Sequence, residues 1–187
     1  MIEYQNIRKT GEIILSQDKK LSYEELKELI ISETKNSVSK IIEFDINRQG
    51  QSIIKIQKDE IIYEVIALIK NITGAGWRDK PWIKRVQVSN IATREISLND
   101  RKFNLIFGVY SFDDNPLFVC WDPYRYLNHV TQRSCYVSIT TLQRGYEKEY
   151  YEGVDSSQKV WVFKGNNFDK FISNYIKYLS ENMGVGK

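Results

Sequence analysis

Cysteine and histidine are nearly missing from this chain: Cys120, Cys135 and His129 are all it has. Two thiols are too few for a disulfide framework, and one imidazole without cysteine pairs leaves no zinc site. No apolar run approaches the ~18 residues needed to span a bilayer. The start, Met1-Ile2-Glu3-Tyr4-Gln5, lacks the form of a signal peptide. These absences predict a soluble, cytoplasmic protein with no membrane partner. The phosphate-loop motif, the Gly-x-Ser-x-Gly elbow and a Rossmann fingerprint after a strand are missing too. His129 cannot be one of two metal imidazoles, and nothing around it marks an oriented nucleophile. A Glu-x-Lys pair of nuclease type occurs at Glu25-Leu26-Lys27, but on an expected helix, whereas a metal-dependent nuclease presents these groups on adjacent strands. The isolated chain is therefore expected to be no enzyme, with no catalytic residue, metal or cofactor.

What the chain does have is ordinary for a globular domain: 42% hydrophobic and 27% charged residues across 187 positions, enough for one full core. Its aromatic content of 13%, with twelve Tyr and four Trp, is high. The net charge of +3 is unevenly spread. Residues 1–70 hold 11 Lys and Arg against 12 Asp and Glu, while residues 71–187 hold 16 against 12. A polyanion would therefore meet the second part.

Ser22-Tyr23-Glu24-Glu25 has the form of a capping box and predicts a helix over about 23–35. The β-branched runs 41–46 and 52–57 flank Asn47-Arg48-Gln49-Gly50 and predict a hairpin. Ile62, Val65, Ile66, Ile69 and Ile72 form an apolar stripe at helical spacing, so a second helix is expected from a cap at Asp59 to a stop at Gly74. Beyond it the texture turns to short strands, at 86–90, 95–98, 105–112, 117–121, 135–139 and 159–164. A short helix is expected over 140–145 and a closing one over 167–179. The abrupt ending, Met183-Gly184-Val185-Gly186-Lys187, suits a domain cut from a longer chain.

Two loops stand out against this background. Gly76 to Arg85 interleaves Arg78, Lys80, Lys84 and Arg85 with Trp77 and Trp82, against one acid, Asp79. Gly74, Gly76 and Pro81 keep any helix from crossing it. The mixture suits nucleic acid, although the two indoles are equally suited to anchoring a loop. The second loop, 122–133, carries Arg125, Tyr126, Asn128, His129, Thr131, Gln132 and Arg133 with little aliphatic content. These are side chains that read base edges: Arg donates twice to guanine, and Asn or Gln pairs with adenine. An exposed polar loop of no function reads the same way.

The runs Gly76-Trp77-Arg78-Asp79-Lys80-Pro81-Trp82-Ile83-Lys84-Arg85, Phe118-Val119-Cys120-Trp121-Asp122-Pro123 and Thr131-Gln132-Arg133-Ser134-Cys135-Tyr136-Val137 together resemble the N-terminal DNA-binding domains of restriction–modification proteins. The type that comes nearest is the LlaJI group of GTP-driven, McrBC-related restriction endonucleases. These domains are similar to the plant "B-three" pseudobarrel and to the EcoRII and BfiI recognition domains. The resemblance covers roughly residues 75–180. It implies an α+β fold, an open seven-stranded pseudobarrel flanked by short helices. Residues 71–187 would be the DNA-binding domain, and residues 1–70 a helical and hairpin extension packed on it as one compact unit.

The resemblance further implies site-specific binding of double-stranded DNA by two arms in the major groove. The N-arm would comprise Trp77, Arg78, Asp79, Lys80, Trp82, Lys84 and Arg85, its cations on phosphates and part of the base edge. The C-arm would comprise Arg125, Tyr126, Asn128, His129, Thr131, Gln132 and Arg133, reading bases. A nucleotide-driven motor and a nuclease subunit would be the partners in the full system. Three alternatives stay open: a reader of a modified, flipped base lined by Trp77, Trp82 or Trp121; a metal-dependent nuclease; and a protein-interaction domain.

Overall fold

The structure, a computed structural model, describes residues 2–46, 51–88, 101–123 and 133–182. In chain order the elements are β1 (Tyr4–Ile7), β2 (Ile13–Ser16), α1 (Tyr23–Thr34), β3 (Lys40–Ile46), β4 (Gln51–Lys58), β5 (Ile61–Asn71) and β6 (Thr73–Gly74). They continue with β7 (Ile83–Val88), β8 (Lys102–Tyr110), β9 (Leu117–Trp121), β10 (Arg133–Ser138), α2 (Ile139–Lys148), β11 (Tyr150–Asp155), β12 (Gln158–Phe163) and α3 (Phe168–Asn182).

The fold is α+β. Seven strands form one mixed sheet in the order β11-β12-β9-β8-β5-β4-β3. Neighbours are antiparallel except β5 and β8, which run parallel from the pair Glu64 and Lys102 to the pair Asn71 and Val109. The sheet stays open, with β3 and β11 at its edges.

Both of its faces are covered. On one side Phe103, Leu105 and Phe107 of β8 share a core with Leu26 and Ile30 of α1 and with Phe171 and Tyr175 of α3. On the other side Ile106, Val119 and Trp121 pack with Val86, Cys135, Val137 and Leu142. Burial on two faces makes β8 and β9 continuous apolar runs instead of alternating ones.

The helix expected from Asp59 to Gly74 is a strand instead, β5. Its spacing satisfies a helical stripe, but Ile61, Ile62, Val65, Ile66 and Ile69 are β-branched and fit a pleated surface better. Asp59 caps no helix. It takes a positive φ of 54° in the two-residue turn between β4 and β5, where Lys58 pairs with Ile61. The other N-terminal elements form as expected. In α1 the capping box closes, with the Glu25 N–H donating to Ser22 Oγ at 3.3 Å and the Ser22 N–H donating to Glu25 Oε2 at 2.6 Å. β3 and β4 make the hairpin, Ile46 opposite Ser52. The turn over 47–50 and the strand expected over 95–98 lie outside the described residues. β1, β2, β6 and β11 had no expectation behind them.

Candidate nucleic-acid interface

A parallel pair needs a long connection between its strands. Here β6, β7 and residues 89–100 supply it, leading from β5 to β8. β7 pairs with β6 and β10 in a three-stranded sheet laid over the second face of the main sheet. The period-2 rule sorts its side chains: Lys84, Val86 and Val88 are buried, while Ile83, Arg85 and Gln87 turn outwards.

The loop before β7 is tied down at its backbone and open at its side chains. Gly76 turns the chain with a φ of 87°. The Lys80 N–H donates to the Trp77 carbonyl at 3.3 Å and the Ile83 N–H to the Lys80 carbonyl at 3.1 Å. The carbonyl of Pro81 accepts from Gln5 N–H at 3.0 Å, and that of Trp82 from Ile139 N–H at 2.9 Å. Trp77, Arg78, Asp79, Lys80 and Trp82 are all exposed. The loop leans onto the ribbon, because the Trp77 ring stacks on Tyr136 of β10 with centroids 5.2 Å apart at 24°. Lys80 Nζ sits 5.5 Å from the Trp77 ring centroid. Tyr136 lies opposite Arg85, and Arg85 opposite Thr73. A row of cation, indole, phenol and guanidinium thus runs across one outer face.

Lys84 is a correction to the sequence reading. It is fully buried and holds no surface position from which to meet a phosphate. Its ammonium forms an ion pair with Asp18 and donates to Asn6 Oδ1 at 2.8 Å. Tyr110 OH also donates to that oxygen, at 3.0 Å, and accepts from Ile7 N–H at 2.8 Å. Asp18 Oδ2 accepts from the Gly74 N–H at 2.6 Å. Burial pulls the Lys84 ammonium below the usual lysine range, opposed by Asp18. Burial pushes the Tyr110 phenol well above its ordinary value. The network is a buried rivet joining the N-terminal ribbon to β6, β7 and β8.

Of the C-arm, Arg125, Tyr126, Asn128, His129, Thr131 and Gln132 lie outside the described residues. Arg133 is exposed at the start of β10, opposite Val88. The loop at 76–82 joins β7 at the far end, where Ile83 faces Ser138. Five strand steps separate the two ends, roughly 17 Å. Trp121 is fully buried and donates its indole N–H to the Tyr136 carbonyl at 3.0 Å, so it lines no pocket for a flipped base. Glu25 is committed to its helix cap, which removes it from the nuclease reading. Among the described residues no three His, Cys, Asp or Glu side chains are grouped to hold a metal ion. No helix among them is long and apolar enough to cross a membrane.

Sequence reasoning missed Tyr136, Lys20 and Lys70. Tyr136 was legible from alternation along β10, where Cys135 and Val137 turn inwards. Lys20 and Lys70 come from separate stretches brought beside Arg85 only by the fold. With Tyr4, Thr73 and Gln87 they line an open cleft of about 400 Å³ whose wall, among the described residues, includes no carboxylate.

The profile of the methylase-associated X1 (MTaX1) family matches residues 63–172, more than half of the chain and all of β7 to β12. No curated protein and no solved structure matches the chain.

Proposed function

Because the chain belongs to the methylase-associated X1 family, we propose that it is the DNA-recognition part of a restriction–modification system. The family's name places it alongside methylases. A methylase and its restriction partner act on the same duplex, so an associated domain with a basic, aromatic face has DNA as its natural ligand. The observation that carries this reading is the row Lys80, Trp77, Tyr136 and Arg85 on one outer face of the ribbon. Arg78, Lys80 and Arg85 supply charge for the phosphates, and phosphate contacts fix the register of a protein on a duplex without reading it. Base reading falls to the segment that carries Arg125, Asn128, His129 and Gln132, entered from Arg133. In this reading the domain is non-catalytic and needs no cofactor. Cleavage and nucleotide hydrolysis belong to partner domains or subunits of a GTP-driven, LlaJI-like system in the cytoplasm.

The test is selection: random duplexes are enriched on the purified chain and the survivors sequenced. A recurring motif of a few base pairs is the expected outcome. Retention of duplexes with no shared motif would leave a non-specific binder and end the recognition role. A second reading, a domain that senses base modification, is favoured by the Trp82 indole, which is 43% exposed and available to stack on a base. Paired binding curves on methylated and unmethylated copies of the selected duplex separate the two. Equal affinities exclude modification sensing.

A further inference from the structure

The cleft beside the ribbon has a composition that the arm picture does not account for. Three cations line it, Lys20 from the segment after β2, Lys70 near the end of β5 and Arg85 from the middle of β7. Neither Lys20 nor Arg85 has an ion-pair partner among the described residues. Lys70 donates to a neutral oxygen, Tyr23 OH, at 2.9 Å, so its charge is uncompensated too. Asp18, the acid bonded to the cleft's own backbone at Gly74, spends its charge on Lys84. Three positive charges therefore converge on one concavity with no counterion of its own among the described residues. Arg85 is half-buried there, where screening is weaker than on an open surface.

The cleft is also stiff. The Tyr4 ring lies against Gly74 so closely that a Cβ there would come 2.2 Å from Tyr4 Cδ1. Asn71 holds the Leu21 backbone in both directions, at 2.9 Å to its N–H and 2.8 Å to its carbonyl, which fixes the segment bearing Lys20. A rigid concavity with three convergent cations, a hydroxyl from Thr73 and an amide from Gln87 matches one ligand chemistry. It fits an oxyanion that accepts several hydrogen bonds at once.

We propose that Lys20, Lys70 and Arg85 form a binding site for a phosphate ester. The inference rests on the DNA reading only for the source of that ester. A duplex backbone phosphate fits because the cleft shares Arg85 with the exposed row. A free mononucleotide offers the same group.

The experiment measures binding of a labelled 12-base-pair duplex and, separately, of AMP. It compares wild type with Lys20→Gln, Arg85→Gln and the triple variant Lys20→Gln/Lys70→Gln/Arg85→Gln, with thermal melts confirming that each is folded. Lys20 is exposed, so its variant reads the site even if Arg85→Gln fails to fold. A backbone site predicts that Lys20→Gln lowers the dependence of log K on log salt by about 0.9. The triple variant then loses more than twice that, and AMP at millimolar concentration does not displace the duplex. AMP binding that the triple variant loses, with no duplex binding, keeps the phosphate site and removes the DNA reading. Duplex binding identical in wild type and triple variant keeps the DNA reading and overturns this site. Binding of neither probe overturns both.

Discussion

Lys84 carries a charge where water does not follow, and the protein accepts it because Asp18 and Asn6 meet it there. Removing one partner of such a pair leaves an uncompensated buried charge, costing about 3 to 5 kcal/mol, whereas replacing both by apolar groups is often neutral. Asp18→Asn is therefore expected to lower stability in urea unfolding by about 3 kcal/mol or more. Asp18→Leu combined with Lys84→Met should recover only part of that loss, because the Gly74 N–H then lacks the acceptor it has in Asp18. Lys84 could have been placed from the sequence, since in Ile83-Lys84-Arg85-Val86-Gln87-Val88 it shares parity with two valines. The attraction of a basic cluster hid that parity. Asp169 gives a second residue-scale prediction. Burial alone would raise its carboxyl, but the Ser39 hydroxyl at 2.6 Å and Lys58 Nζ at 2.9 Å outweigh it and lower the value below 3.8. The stability it contributes is thus complete above the unfolded carboxylate value and is lost as pH falls through the lower folded one. Asp169→Asn should cost roughly 1 kcal/mol at pH 7 and should flatten the acid limb of the stability profile below the unfolded carboxylate value. An unchanged limb would mean that the pair is idle.

At the scale of elements, β5 and β8 hold the structure together and were the least evenly legible. The apolar run over 105–112 predicts a strand, and β8 forms as one over Lys102–Tyr110. β5 was read as a helix because a strand buried on both faces in a parallel pair loses the alternation that betrays half-buried strands. Ile62, Val65, Ile66, Ile69 and Ile72 fit the helical period and not the period of two, and only their branching at Cβ favours the strand. The capping box of α1 and the β3–β4 hairpin were legible because local bonds decide them, Ser22 with Glu25 in one case and paired β-branched runs in the other. β1 and β2 were not, since a four-residue ribbon whose stability comes from Tyr110 and Pro81 leaves little local trace. The packing of β8 makes its own prediction. A Cβ at Gly108 would lie 2.7 Å from Ile72 Cγ1 and 2.8 Å from Trp121 Cζ3. Gly108→Ala should therefore destabilise by about 1 to 3 kcal/mol through overpacking, read as a lower thermal midpoint. An unshifted midpoint would show that β5 and β9 give way freely at this crossing.

For the whole molecule, the basic cluster over residues 78–85 lies where the small sheet β6-β7-β10 is laid over the main one. Arg78, Lys80 and Arg85 remain at the surface there after Lys84 is withdrawn, and Lys20 joins them from the N-terminal half. The sequence disclosed the loop because its indoles and cations are contiguous. It could not disclose the cleft, whose residues 20, 70 and 85 meet only through the fold. The most direct measurement of the central claim is duplex affinity against salt for wild type and for Arg78→Ala/Lys80→Ala, which leaves the buried rivet and the cleft intact. If this face grips the DNA backbone, log K for wild type falls linearly with log salt, and the double variant's slope is shallower by about 1.8, some 0.9 per lost phosphate contact. Parallel lines of equal slope for the two proteins would mean that the duplex, if bound, lies elsewhere on the molecule.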